Sequence, residues 1–259
     1  MTLTRPRIGS SLRSILSVLA LLLGVFGTAT AIAQDGSVGA MSNSRAIPAP
    51  WVESIGAQLY DDWPRALRLA GPFQRHPLWS GSSNVRAQET WRCVNCHGWD
   101  FRGSAGVGGD LGVVGDVPGL RHLVGAGVSD IRAMIRNDRH GFSSVPLNPE
   151  ALNYLAGFLA KGQTATVELV GRARTLGVDR AAGGERYASV CQICHGPDGD
   201  ALNLGTERAP ETLSTLARRL PWRFLHTVRF GHGGIMPSFT TLEEREFLNL
   251  LIYAARDLR

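Results

Sequence analysis

Cys191-Gln192-Ile193-Cys194-His195 decides how this chain is read, and Cys93-Val94-Asn95-Cys96-His97 repeats it 98 residues earlier. Two cysteines separated by two residues and followed at once by a histidine form the attachment signal for a c-type haem. The spacing sets both sulfurs on one side of a helical turn, where each reaches a vinyl group on one porphyrin edge. The adjacent imidazole then lies under the ring as proximal iron ligand. A disulfide framework or a zinc site would also use four cysteines, but neither requires a histidine after each pair. The two motifs use every cysteine in the chain, so no thiol is left for catalysis or for an axial thiolate. The sequence therefore implies two covalently bound haem c groups, one on Cys93, Cys96 and His97 and one on Cys191, Cys194 and His195.

The start of the chain says where such chemistry would take place. Arg5, Arg7 and Arg13 precede or flank an apolar run from Ile15 to about Phe26, and Ala31-Ile32-Ala33 follows as a cleavage signature. This is the pattern of a secretory signal peptide over residues 1–33. The expected location is periplasmic, with membrane contact only if the signal is retained as an anchor. Cleavage removes three arginines and no acid, so the formal charge falls from +5 to +2. The basic balance of the whole chain is therefore no argument for nucleic acid as a partner.

Residues 34–50 are rich in Gly, Ser, Ala and Pro and read as a flexible leader. From Trp51 to about Leu69, Ile55, Leu59, Tyr60 and Trp63 share one helical face. Residues 71–88 read as loop, and so does the glycine-rich stretch 103–119. The glycine-rich stretch contains no phosphate-binding pattern. Further helices are expected near 129–136, with Ser129 as cap, and near 149–159, with Asn148 as cap and Pro149 at the first position. Residues 163–179 carry little core pattern and read as a linker. Helices are then expected over 180–190, 212–218 and 222–230. A last one ends at about Arg256, opened by a Thr241–Glu244 capping box and burying Phe247, Leu250, Leu251 and Ala254. No run alternates like a strand. The expectation is an all-α protein in two tandem units, 51–162 and 180–259.

The second unit resembles a class I cytochrome c domain. The likeness rests on Gly184 and Tyr187 in its first helix, on Cys191, Cys194 and His195, on Met236-Pro237, and on the terminal helix. The first unit resembles the same family at Cys93, Cys96, His97 and Pro118, with Gly56, Leu59 and Tyr60 in a helix displaced by an inserted loop. The resemblance implies a small helical bundle around each haem, with the first and last helices crossing. It makes Met236 the sixth ligand opposite His195. It also makes the Pro118 and Pro210 carbonyls acceptors for the proximal imidazoles.

The first unit departs from that pattern, because Val145-Pro146 stands where Met236-Pro237 does, and valine cannot bind iron. His140, 43 residues after His97, is the favoured substitute. Met134 and an open site are the alternatives. His76, His122 and His226 read as surface or packing residues. With both axial positions filled, neither haem leaves room for substrate, so no catalytic residue is assigned. The expected function is electron transfer between a periplasmic dehydrogenase and a downstream cytochrome or oxidase. The alternative is a dihaem redox enzyme, peroxidase-like or a sulfur-compound dehydrogenase, with the first haem as catalytic site. A third reading is a haem-bearing subunit that docks through Trp51, Trp63 and Trp79. The sequence fixes no oligomeric state.

Overall fold

A computed structural model of the chain describes residues 49–112, 114–143, 145–163, 169–172, 177–205, 207 and 209–259. The expected signal segment and nearly all of the leader lie outside them. Among the described residues every regular element is helical. The only ladder contacts are two isolated bridges, Gly109 with Gly112 and His232 with Met236.

The first helix, α1 (Ala49–Ala66), buries Leu59, Tyr60 and Trp63 completely and lays Ile55 against the same core. It kinks at Asp62. Pro64 has no amide hydrogen to continue the ladder, and the Asp62 side chain caps the last turn by accepting from the Arg65 amide at 3.2 Å. A short helix α2 (Cys93–His97) holds the first motif. Next come α3 (Val128–Ile135) and α4 (Pro149–Gly157), whose end widens into a π-turn over Phe158–Gly162. A single turn α5 (Leu169–Arg172) lies within the expected linker, and Leu169 is buried.

The second half is built from six elements. α6 (Arg180–Arg186) widens into a π-turn over Tyr187–Cys191, and α7 (Gln192–His195) carries the second motif. α8 (Leu213–Arg219), α9 (Pro221–Phe230) and α10 (Glu244–Arg256) follow.

Start signals place most of these ends. Asn148 accepts from the Ala151 amide with Pro149 at the first position, Asp179 accepts from Ala182, and Thr212 accepts from Thr215. Two expected caps are corrected. Gly127, not Ser129, precedes α3, and the Ser129 hydroxyl turns to Asp130 instead. The capping box of α10 is Glu243 with Glu246, not Thr241 with Glu244. The same spacing of three recurs two residues later, where both side chains are long enough to close the box.

α1 crosses α4, and α6 crosses α10, each time at a glycine. A Cβ on Gly56 would sit 2.2 Å from the Tyr154 carbonyl oxygen, and one on Gly183 would sit 2.2 Å from that of Asn249. Only a residue without a side chain lets the backbones approach so closely. The sequence pointed to Gly184; the closest approach falls one residue earlier, and Gly184 meets the Tyr253 ring. The spacing of four positions from glycine to tyrosine is then the same in both halves, Gly56 to Tyr60 and Gly183 to Tyr187.

Two apolar cores result. The first gathers α1, α4 and the first motif around Trp63, Trp99, Phe101 and Phe158. Each such side chain contributes about 2–3 kcal/mol on burial. The second gathers α8, α9 and α10 around Phe224, Leu225, Phe247 and Leu248. Leu216 of α8, Phe230 of α9 and Leu220 between the two helices belong to the first core, so the halves meet along a packed seam.

Candidate haem sites

At the first motif the surrounding chain is locked in place. Trp63 Nε1 donates to the Trp91 carbonyl at 3.1 Å, and the Tyr60 hydroxyl donates to that of Gly98 at 2.6 Å. Gly98, at φ 80°, ends α2 and turns the chain away behind His97. Asn95 is fully buried. Its amide donates to the Glu89 carbonyl, and its oxygen accepts from Asp110, which pins the glycine-rich loop to the motif.

Cys93, Cys96, His97 and His140 line one cavity of about 400 Å³, walled by Leu123, Ile131, Phe142 and Leu159 among others. The His97 and His140 ring centres stand 6.2 Å apart, with 34° between the planes. His97 Nδ1 donates to the Pro118 carbonyl at 2.9 Å, and His140 Nδ1 donates to that of Met134 at 2.9 Å. In both rings Nε2 is therefore the nitrogen with a free lone pair. Burial pulls the His97 imidazole down to about 4, against the opposing effect of the Pro118 bond. It pulls His140 down as well, against the Met134 bond. Both rings are neutral near pH 7, as iron ligands must be.

A bound haem fits this cavity. Two metal–imidazole bonds of about 2 Å, with about 1 Å from nitrogen to ring centre on each side, span roughly the separation seen. Two thiols stand beside the pair in apolar walls. Met134, the reserve candidate, also lines the cavity, but its backbone carbonyl is what fixes His140. The thiols are unpaired, and no group of three or more His, Cys, Asp or Glu among the described residues could hold a metal ion.

His76, read from the sequence as a surface or packing residue, proves to be packing. His76 is buried edge-on to Trp91, with ring centres 4.5 Å apart. Its Nε2 donates to the His140 carbonyl at 2.8 Å while its Nδ1 accepts from the Leu78 amide. It is a packing residue that fixes the backbone of His140. No local pattern marks it, since 64 residues separate the two.

The second motif is open. Cys191 is half-buried and Cys194 exposed, and Ile193 is 89% exposed. The Tyr187 hydroxyl donates to the Gly196 carbonyl at 2.6 Å, as Tyr60 does to Gly98. The expected bond from His195 to the Pro210 carbonyl is not made. His195 Nδ1 is buried without a hydrogen-bond partner. Nearby, Asn203 Oδ1 accepts from the Gly205 and Glu211 amides. Met236 packs half-buried against the second core, on a loop entered at Gly231 with φ 79°.

Between the two motifs runs a chain of charges. Arg92 pairs with Asp61 at 2.5 Å, Glu89 at 2.8 Å and Asp110 at 2.9 Å. Arg223 joins Asp110 to Glu211, and His232 Nδ1 lies 2.6 Å from Asp61 Oδ2. Burial alone would raise the Asp61 carboxyl. The Arg92 charge and the His232 bond outweigh it and hold the group well below the usual carboxylate range. His226, read as surface or packing, proves to be packing. It is fully buried against Tyr60, Trp99, Phe158 and Phe230, and its Nε2 donates to the Ala57 carbonyl at 3.2 Å.

No described helix is long and apolar enough to cross a membrane. Neither the curated proteins nor the solved structures include a match to the chain. One family model does match, over residues 178–253, and its description is cytochrome c oxidase, cbb3-type, subunit III. The C-terminal part of this all-helical chain is thus similar to a cytochrome c domain, the kind of domain that holds covalently attached haem c and exchanges electrons with redox partners.

Proposed function

We propose that the chain is a dihaem c-type cytochrome of a periplasmic compartment, relaying electrons from a dehydrogenase to a downstream cytochrome or oxidase. The observation that carries the reading is the histidine pair at the first motif: the His97 and His140 rings stand 6.2 Å apart in one cavity, each with Nδ1 tied to a carbonyl, beside Cys93 and Cys96. The recurrence of that plan at Gly183, Tyr187, Cys191, Cys194 and His195 supports a second haem.

Bound haem supplies one-electron exchange at its iron, and the ligands set the potential. His97 and His140 would hold the first iron through two imidazoles, which favour the ferric state. His195 and Met236 would hold the second through an imidazole and a thioether, which favour the ferrous state. The first centre would then be the donor and the second the acceptor. Leu123, Ile131, Phe142 and Leu159 wall the first cavity against water, and the exposed second motif would offer the edge for docking. An enzymatic role needs an open iron position at the first motif, and His140 stands where substrate would bind. Residues 1–33, with Arg5, Arg7, Arg13 and Ala31-Ile32-Ala33, support export, and residues 163–179 serve as the link between the units.

Mass spectrometry of the denatured, acid-extracted protein should show about 1.2 kDa above the bare chain, two haem units. A redox titration should resolve two potentials, with the bis-histidine centre lower. One haem unit, or a single shared potential, would overturn the reading.

A further inference from the structure

The loop that carries Met236 is held from the other half of the chain. His232 N donates to the Met236 carbonyl at 3.1 Å, and Met236 N returns the bond at 3.2 Å, so the two residues move as one piece. That piece rests on one face of α1. Gln58 Nε2 donates to the Phe230 carbonyl at 2.8 Å, where the loop begins. Asp61 Oδ2 takes the bond from His232 Nδ1 at 2.6 Å. A Cβ on Gly233 would meet the Arg65 side chain at 2.4 Å. Gln58 and Asp61 lie three apart on one face of α1, and Arg65 follows them just past the kink at Asp62.

Asp61 is itself immobile. Its other oxygen and its backbone carbonyl are both held by Arg92, at 2.5 and 2.8 Å, and Arg92 immediately precedes Cys93. A thioether is a neutral and easily displaced ligand. How often it occupies the iron depends on how few conformations its loop must give up to present it.

We propose that Asp61, acting through His232, is the positioning residue for Met236, so that α1 of the first half clamps the axial ligand of the second haem. The proposal rests on the reading of Met236 as that ligand.

The test is an imidazole titration of the full-length ferric holoprotein, followed at the weak sulfur-to-iron absorption band near the red end. In His232→Ala the band should bleach at roughly ten-fold lower imidazole than in the wild type, the worth of one charge-assisted hydrogen bond. His232→Asn places an amide nitrogen where Nδ1 stood and should return to within about two-fold of the wild type. Asp61 keeps both bonds to Arg92 in these variants, so an unchanged bis-histidine spectrum reports that the first core is intact. Equal imidazole sensitivity in His232→Ala and wild type, with the band present in both, would overturn the clamp. A wild type with no such band would overturn the Met236 assignment itself, a different failure with a different spectrum.

Discussion

The two C-x-x-C-H motifs share a plan and differ in enclosure. Each follows a helix whose glycine lets a later helix cross at backbone distance, and each has a tyrosine four residues on whose hydroxyl donates to the carbonyl just after the motif histidine. Yet the first lies in a walled cavity with a second histidine opposite, while the second is exposed and takes part of its support from α1. Local chain plan sets where the sulfurs and the imidazole go. What covers them is set in part by the inserted stretch before the first motif, whose His76 packs against Trp91 and Phe142 beside that motif. Enclosure is thus separable from the attachment plan, and each can be broken alone.

The largest effect should come from opening the enclosed site. An internal ligand that occupies a position about 99% of the time weakens an external one about a hundred-fold. Cyanide should therefore bind His140→Ala about a hundred-fold more tightly than the wild type, in a spectroscopic titration at the first motif. Unchanged affinity would mean that His140 is not the partner of His97 and would return Met134 or an open site to consideration.

Next in size are the two helix crossings. Gly56→Ala and Gly183→Ala each drive a methyl into a carbonyl oxygen and should cost about 2–3 kcal/mol in denaturant unfolding. Gly157→Ala, with open space around its Cβ position, should instead stabilise by about 0.5–1 kcal/mol. Loss at only one of the two crossings would break the shared plan.

The seam should respond to pH through His226. Burial lowers its imidazole from 6.5 to about 4. Between those values the unfolded chain takes up a proton that the folded chain refuses, so stability falls as pH drops from about 6.5 to about 4, by at most about 3 kcal/mol. His226→Gln keeps a donor for the Ala57 carbonyl and should flatten this part of the curve. An unfolding series at pH 7 and pH 4.5 reads the difference. Below about pH 4 the depressed Asp61 carboxylate adds a further loss in both proteins, as its unfolded form begins to take up protons.

Smallest is the contrast between the two tyrosines. Tyr60 is fully enclosed, whereas the Tyr187 bond is only partly buried. Tyr60→Phe should cost about 1.5 kcal/mol and Tyr187→Phe about 0.5–1 kcal/mol. Equal costs would mean that the exposure difference has no energetic weight.

The two C-x-x-C-H motifs, the helical class and most helix starts were legible in the amino-acid order alone. These depend on neighbours within four residues: C-x-x-C-H spacing, Asn148-Pro149, Asp179, Thr212, and the apolar face of α10. Even its misses there were small. Gly183 replaced Gly184 and Glu243 replaced Thr241, because a glycine pair and two overlapping three-residue spacings look alike without a partner helix to choose between them. The contacts that no local pattern announces lie at long range. The bond from His76 to His140 spans 64 residues, that from His232 to Asp61 spans 171, and that from His226 to Ala57 spans 169. So does the absence of a partner for His195 Nδ1, where the family likeness had supplied Pro210. A hydrogen bond between distant residues leaves no periodic trace in the chain, because its partners are brought together by the packing of other side chains and not by their own spacing.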